Sequence, residues 1–406
     1  MRRLLLPAAL LLVAGWAAIL WVPPWSDDSI NDLYVYRTFA EPVLDGELPY
    51  RDVFFEYPPL AAPVIALPGV LGTGEESFRW AYAAWTLLMA AGVVLLCGAL
   101  AARTGGDVRR ALLAAAAMPL LCGAMIRTHF DLAPVGLTLL ALLLVIAGRR
   151  GWGMAVLGLA VLTKGFPIVV APVVIAWLAA RYGRRAAVRD GLVLAGVIAA
   201  VMAVSIAVSF DGTVDAFTYQ VDRPVQIEST PATFLYALDG LGLGEAVREG
   251  SHRADNVVHP ADDPIAAVLS AVMLATIVLL SFLAGARPKD DRALVLASLG
   301  AMLAFACFGR VLSPQYLIWA VPLGTLAVAW RYDHLALAVA GATVLTLVEF
   351  PGLYENFAGR EPLPVAIVCL RDALLIAALA LTVRALQLRG QEQLLGARRN
   401  AAVGLD

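Results

Sequence analysis

The chain has 406 residues, of which 61% are hydrophobic and 15% are charged, and its mean hydropathy is +0.79. A soluble domain is about half apolar and about a quarter charged, so this composition excludes an ordinary soluble protein. Apolar stretches of membrane-crossing length recur from end to end, which predicts a polytopic α-helical membrane protein. The net charge of −2 conceals an uneven distribution of charges along the chain.

The chain begins "MRRLLLPAALLLVAGWAAILWVPPW". Two arginines before an apolar run resemble a signal peptide, but the run is of spanning length and lacks a convincing cleavage site. We therefore expect an uncleaved first helix. The positive-inside rule then places Arg2 and Arg3 in the cytoplasm.

Thirteen apolar segments follow one another along the chain. They lie near residues 4–24, 57–72, 80–102, 111–126, 132–148, 153–163, 166–180, 188–209, 265–284, 293–309, 317–330, 335–350 and 365–387. The second is short and rich in proline, so we interpret it as re-entrant or interfacial. About twelve crossings then remain in a single integral membrane domain, 1–406, with both termini inside and with external loops at 25–79 and 210–264.

The distribution of charges supports this topology. The predicted inner segments hold 19 of the 30 basic residues but only 7 of the 32 acidic ones. This asymmetry agrees with the positive-inside rule. The inner loops are too short for a folded domain, so the sequence predicts that any chemistry takes place at the outer face.

A short amphipathic helix is predicted in the first external loop. Ser29-x-x-Asp32 resembles a capping box, and apolar residues then recur on one face until Asp45-Gly46. Asp32 could serve only to cap this helix. Asp27 and Asp28 are expected to be solvated.

Polar side chains also mark the outer ends of several later segments. "IRTHFDLAP" holds Arg127 and Asp131, "VLTKGFP" holds Lys164 between two short segments, and "FGRVLSPQYLIW" holds Arg310. Single residues of this kind are often interfacial anchors. Short helices that end below the outer surface would instead form a recess, and Arg127, Lys164 and Arg310 together would make a cationic pocket for a phosphate.

"PYRDVFFEYPP", from Pro49 to Pro59, is the most polar stretch beside these segments. Its charged residues could bind sugar hydroxyls, or Arg51 could form an ion pair with Asp52 or Glu56 that fixes the loop. Tyr57 could stack on a sugar ring or lie in an interfacial aromatic belt. The prolines prevent a regular helix where the backbone must turn back towards the membrane.

Three segments together carry a resemblance to a known family: "DLYVYRTFAEPVLDGELPYRDVFFEYPPLA", "LTKGFP" and "LSPQYLIWAVPL". They resemble the GT-C superfamily of polyprenyl-phosphate-sugar glycosyltransferases, and within it glycosyltransferase family 87, which includes actinobacterial mannosyltransferases. The resemblance implies an all-α GT-C-type bundle of about twelve transmembrane helices. It also implies a lipid-linked donor such as polyprenyl-phosphate-mannose, inverting transfer at the extracytoplasmic face of the cell membrane, and a catalytic aspartate in the first external loop, which by position is Asp32.

The resulting site hypothesis makes Asp32 the general base and places the donor phosphate on Lys164 and Arg310, then Arg127. The predicted substrate-binding residues are Tyr36, Arg51, Asp52, Glu56, Tyr57, Asp131, Gln315 and Tyr316. The partners would be membrane lipids, the polyprenyl-phosphate sugar and a glycolipid or glycan acceptor, with no nucleic acid. No metal or other cofactor is expected, because fixed cations can offset one phosphate, although Asp27, Asp28 and Asp32 could recruit a divalent ion.

Two other functions compete with this hypothesis. A transporter or flippase for a lipid-linked sugar predicts polar residues at the membrane midplane and repeat symmetry, whereas the ionisable groups here gather at one face. A non-catalytic scaffold gives no reason for Lys164 in its short hairpin. An arabinosyl or other sugar transferase remains an alternative within the same superfamily.

Overall fold

A computed structural model describes the backbone of residues 2–403 and the side chains of residues 4–389. The side chains of Arg2 and Arg3, from which the orientation of the first helix was inferred, lie outside that part of the chain. The helices are α1 (Arg2–Trp21), α2 (Leu33–Leu44), α3 (Ala61–Ala66), α4 (Glu75–Arg103), α5 (Val108–Ala116), α6 (Met118–Cys122), α7 (Met125–Thr128), α8 (Leu132–Ile146), α9 (Arg150–Thr163), α10 (Ala171–Tyr182), α11 (Arg184–Val208), α12 (Phe210–Val221), α13 (Thr230–Gly240), α14 (Asp262–Gly285), α15 (Asp291–Phe308), α16 (Leu317–Ala329), α17 (Asp333–Glu349), α18 (Tyr354–Ala358) and α19 (Pro362–Val403). Short 3₁₀ segments cover Leu67–Leu71, Phe166–Val170 and Pro314–Tyr316.

Six of these helices are long and apolar enough to cross a membrane: α1, α4, α11, α14, α15 and α19. Shorter apolar helices occupy the other predicted segments, so the prediction of a polytopic helical membrane fold is confirmed. The proline-rich segment at 57–72 contains only α3 and the 3₁₀ turn that follows it. It is much shorter than a spanning helix, as expected from its prolines.

The helices around Lys164 are short, as the sequence predicted. α9 has 14 residues and ends at Thr163, and α10 begins after the 3₁₀ segment that starts at Phe166. At 1.5 Å per residue, α9 is about 21 Å long, less than the roughly 30 Å of a bilayer's hydrocarbon core. Lys164 therefore lies at the end of a helix too short to span the bilayer.

The predicted short helix after the first apolar segment is present, but the capping box of Ser29 and Asp32 is not formed. α2 begins after Asp32 and ends before Asp45, and Gly46 has the positive φ of +95° that favours glycine at a helix end. Its apolar face buries Leu33, Tyr36, Phe39 and Ala40. This face packs in a separate cluster with aromatic residues of the loop that follows and of neighbouring helices, which holds α2 in place.

A small antiparallel sheet in the loop 210–264 was not predicted. Its strands are β1 (Val225–Gln226), β2 (Val247–Ser251) and β3 (Ala254–Val258), in the order β1-β3-β2. His252 and Arg253 join β2 to β3, and both have φ near +54°. Two consecutive residues with positive φ form the tight turn that matches strand twist, but residues other than glycine seldom adopt it. The turn fixes the position of both side chains.

Candidate active site

A cavity of about 1070 Å³ opens among α2, the Lys164 hairpin, the β2–β3 turn and the segment before α16. The residues that line it with polar or ionisable side chains include Asp32, Glu56, Tyr57, His129, Lys164, Arg223, Gln226, Glu228, His252, Arg253, Asp255, Arg310, Gln315, Tyr316 and Glu355. Asp32, Lys164, Arg310, Glu56, Tyr57, Gln315 and Tyr316 were predicted from sequence as site residues. Segments as far apart in the chain as Asp32 and Glu355 therefore meet around one cavity.

Asp32 occupies the N-cap position of α2, but its side chain makes no capping hydrogen bond. Instead, Oδ2 accepts a hydrogen bond from the Tyr36 hydroxyl at 3.1 Å and lies 3.4 Å from Nε2 of His129. The side chain is 34% exposed. The Asp32 carboxylate is therefore not used for capping. Tyr36 lies one helical turn later, where its hydroxyl orients that carboxylate.

His129 supports Asp32 from the opposite side. Its ring is buried, and Nδ1 lies 3.0 Å from the main-chain oxygen of Met125. Nδ1 also lies 3.0 Å from the Thr128 hydroxyl, so two contacts fix the plane of the ring. The ring is thereby held with Nε2 towards the carboxylate. The sequence drew attention to His129 in "IRTHFDLAP" but gave it no role.

Lys164 is anchored by a buried carboxylate. Its Nζ donates to both oxygens of Asp131, at 2.7 and 2.8 Å, and Trp319 Nε1 donates to the same carboxylate. Asp131 is fully buried and does not line the cavity. The ammonium also lies 4.7 Å from the centre of the Phe130 ring. Asp131 therefore positions Lys164 at the cavity lining, whereas Asp131 itself is not among the residues that a substrate could touch.

Arg310 is paired more loosely. Its guanidinium donates to Asp263 at 2.6 Å, and the Asp263 side chain is 78% exposed. Ion pairs of this kind contribute little because water screens them, so Arg310 can turn to a ligand at small cost. The 3₁₀ turn Pro314–Tyr316 begins with Pro314 and leads into α16. It presents Gln315 and Tyr316 to the cavity, so starting a helix and lining the site are both roles of this segment.

Three predicted residues lie away from the cavity. Arg127 is 2% exposed, donates to the main-chain oxygen of Ile19 at 3.0 Å and pairs with Asp28 at 2.8 Å. It is not part of the cationic group around the cavity, and Asp28 is not merely solvated, because it holds two arginines. Arg51 and Asp52 pair with each other at 2.8 Å on the exposed surface of the loop.

Tyr36 is also absent from the cavity lining, because its ring is buried in the aromatic cluster beneath Asp32. It stacks on Tyr82 with 5.5 Å between ring centroids and meets the edge of Phe130 at the same distance. Its hydroxyl reaches Asp32 from below. The geometry gives it a positioning role instead of the substrate contact expected from sequence.

Glu56 faces the cavity as predicted, but its partner was not foreseen. Arg253, at the β2–β3 turn, donates to it at 2.8 Å. Burial raises the pKa of the Glu56 carboxyl and the Arg253 charge lowers it, and the charges of Asp32 and Arg223 also act on it. The carboxyl of Glu56 is therefore subject to charges of both signs at the cavity.

Within residues 4–389, no three His, Cys, Asp or Glu side chains are arranged to hold a metal ion. Asp27 accepts a hydrogen bond from the main-chain N–H of Ser29, and Asp28 is occupied by Arg79 and Arg127. The three aspartates of the first loop therefore have separate partners.

The molecule is thus a polytopic helical membrane protein with an ionisable cavity beside short helices. The model of glycosyltransferase family 87 matches residues 54–314, well over half of the chain. The protein belongs to glycosyltransferase family 87 and is a membrane glycosyltransferase.

Solved structures with similar shapes include ArnT from Cupriavidus metallidurans, at 15% identity and a TM-score of 0.49, with 92% of this chain and 76% of that chain covered. The archaeal oligosaccharyltransferase AglB from Archaeoglobus fulgidus, in complex with an inhibitory peptide and a dolichol-phosphate, is similar at 13% identity and a TM-score of 0.38. That match covers 93% of this chain and 56% of the AglB chain. No curated protein sequence gives a significant match.

Proposed function

We propose that the protein transfers mannose from polyprenyl-phosphate-mannose to a glycolipid or glycan acceptor at the extracytoplasmic face of the membrane, with inversion at the anomeric carbon. The observation that carries this proposal is the cavity itself. It brings Asp32, a carboxylate free of a lysine or arginine partner among the described residues, together with several fixed cations. Membership of the family supports glycosyl transfer, and the motif resemblance supports the choice of donor and sugar.

Asp32 acts as the general base. The acceptor hydroxyl attacks the anomeric carbon and gives its proton to the Asp32 carboxylate, while the bond from that carbon to the phosphate oxygen breaks. The electron pair of that bond stays on the departing polyprenyl phosphate. Attack from the face opposite the leaving group inverts the configuration. Tyr36 and His129 hold the carboxylate in place, and such a base is worth about 100- to 10,000-fold in rate.

Fixed cations stabilise the charge that develops on the leaving phosphate. Lys164 and Arg310 both line the cavity. Groups that are already held in position stabilise a transition state without reorganisation. One phosphate diester carries one negative charge, so these cations suffice in this mechanism and it requires no metal ion.

The walls of the cavity would bind the sugars. Glu56, Tyr57 and Gln315 offer hydrogen-bonding groups, and Tyr316 adds an aromatic surface stacked on Trp319, with 3.8 Å between their ring centroids. An acceptor on the outer face agrees with the excess of basic residues in the opposite loops.

The test uses purified protein in lipid nanodiscs with radiolabelled polyprenyl-phosphate-mannose and a panel of glycolipid and glycan acceptors. We expect label to move to an acceptor in a new glycosidic bond of inverted configuration, as determined by NMR. Movement of intact donor across a vesicle bilayer without a transferred sugar would support a flippase and overturn the proposal. Transfer of arabinose with no transfer of mannose would correct the sugar.

A further inference from the structure

The ionisable groups around the cavity are largely paired, and two are not. Among its lysines and arginines, Lys164 pairs with Asp131 at 2.7 Å, Arg253 with Glu56 at 2.8 Å and Arg310 with Asp263 at 2.6 Å. Arg223 is the fourth, and in the described part of the chain no carboxylate lies within 4.0 Å of it.

The carboxylates of the lining follow the same rule. Each of the following has an arginine within 4.0 Å: Glu56 (Arg253), Glu228 (Arg371), Asp255 (Arg248) and Glu355 (Arg248). Asp32 has no arginine or lysine within 4.0 Å among the described side chains, and its one ionisable basic neighbour there is the imidazole of His129, at 3.4 Å. The cavity therefore keeps one uncompensated carboxylate and one uncompensated guanidinium.

Arg223 is held at the cavity wall by its place in the chain. It lies between the end of α12 and β1, next to Pro224, whose ring restricts the backbone. β1 is fixed by its pairing with β3 and by a main-chain hydrogen bond from Gln226 N–H to the carbonyl of Arg310. The side chain is half-buried, and its Nε is buried with no hydrogen-bond partner.

A buried donor without a partner is costly, and more so when it belongs to a charged group. The cost is removed when a ligand supplies an acceptor and a negative charge. A guanidinium presents several N–H groups in one plane, which fit two oxygens of one phosphate. Lys164 is less suited to this role alone, because Asp131 already neutralises it and uses its hydrogens.

We propose that Arg223 binds the phosphate of the lipid-linked donor and is the cavity residue that selects a phosphorylated lipid. This inference rests on the proposed function, since it deepens the donor site of the same reaction. It assigns the catalytic base and the phosphate ligand to the two groups that the protein leaves unpaired. Lys164 and Arg310 then supply secondary electrostatic stabilisation.

Direct binding tests this without relying on turnover. The affinities of nanodisc-embedded protein for polyprenyl monophosphate and for the unphosphorylated polyprenol are compared in the wild type and in Arg223→Gln and Arg223→Lys. We expect Arg223→Gln to weaken phosphate-lipid binding by about 10- to 100-fold, the worth of a charge-assisted hydrogen bond, and to leave polyprenol binding unchanged. Arg223→Lys should recover part of the loss.

Arg37→Gln is the matched control, because it removes the same charge from the outer part of the molecule. Arg37 lies on α2, outside the cavity lining, and contacts only Glu41 at 3.7 Å among the acidic residues. Its variant should bind polyprenyl monophosphate like the wild type. If both variants weaken the binding of polyprenyl monophosphate equally, Arg223 contributes only as a general surface charge and the inference is overturned.

Two further arms identify the source of the phosphate. Inorganic phosphate and phosphatidylglycerol should compete weakly with polyprenyl monophosphate, and that competition should depend on Arg223. The inference is overturned if Arg223→Gln changes the affinity for phosphatidylglycerol while the affinity for polyprenyl monophosphate changes by less than about twofold. Binding is measured apart from sugar transfer, so a protein that binds the lipid through Arg223 but transfers no sugar would refute the proposed function alone.

Discussion

Replacing Asp32 by asparagine removes the proposed base with little change in shape. The side chain makes no capping bond to α2, so that helix loses no hydrogen bond of this kind. The amide oxygen can still accept from the Tyr36 hydroxyl, which lies 3.1 Å away in the wild type. The side chain is partly exposed, and exchanging a charged acceptor for a neutral one should alter stability by less than about 1 kcal/mol.

The expected effect on catalysis is much larger. A general base is worth about 100- to 10,000-fold in rate, which corresponds to about 2.7 to 5.4 kcal/mol of transition-state stabilisation. Asp32→Asn should therefore reduce kcat by at least about 100-fold while the thermal unfolding midpoint and donor binding stay close to those of the wild type. The assay is transfer of radiolabelled mannose in nanodiscs, with unfolding followed on the same preparation.

Asp27→Asn provides the matched control and tests the competing aspartate. Asp27 lies five residues earlier, and its one side-chain hydrogen bond in the described structure is accepted from the N–H of Ser29. Its variant should keep wild-type activity. If Asp32→Asn retains more than about a tenth of the activity, or if Asp27→Asn is the inactive variant, the assignment of the base is refuted.

Three further outcomes follow from buried contacts. Lys164→Met should lower the unfolding midpoint, because the buried Asp131 loses its ionic partner at a cost of about 3 to 5 kcal/mol. Adding Asp131→Asn should restore the midpoint but not the donor KM. A restored KM would make Lys164 purely structural. Arg253→Gln removes the ion pair to Glu56, so it should speed hydrogen exchange in the β2–β3 hairpin and raise the acceptor KM more than the donor KM. Unchanged exchange and an unchanged acceptor KM would contradict this expectation. Burial raises the pKa of Glu228, so its native form binds more protons than the unfolded chain, and stability should fall as the pH rises above 4.5, the ordinary pKa of this carboxyl. Glu228→Gln should flatten that fall in the unfolding midpoint, and an unchanged slope would refute the reasoning.

Local signals account for what the sequence predicted correctly. The apolar segments, the short helices around Lys164 and the bounds of α2 depend on composition and spacing within a few turns of chain. Gly46 ends α2 where the Asp45-Gly46 pair predicted. Asp32 was identified through a motif and lies at the cavity, although its role there remains a prediction.

Contacts between distant residues account for what could not be predicted. Arg253 meets Glu56 from 197 positions away, and Asp131 meets Lys164 from 33 positions away. A charged residue near a membrane boundary looks the same in sequence whether it is paired or free. The sheet was missed because its strands are at most five residues long and β2 is largely exposed, which leaves no apolar alternation to detect.

Three predicted residues that do not line the cavity are held by ion pairs, although Lys164, Arg310 and Glu56 are also paired and do line it. Arg127, Arg51 and Asp131 are all charged, yet each is already satisfied by a neighbour of opposite charge. A satisfied ion pair holds segments together but offers a ligand little, because a new contact must first compete with the old one. Among the side chains of residues 4–389, Asp32 has no lysine or arginine and Arg223 has no carboxylate within 4.0 Å. Their charges are opposite, as base catalysis and phosphate binding require, which agrees with the roles proposed for them.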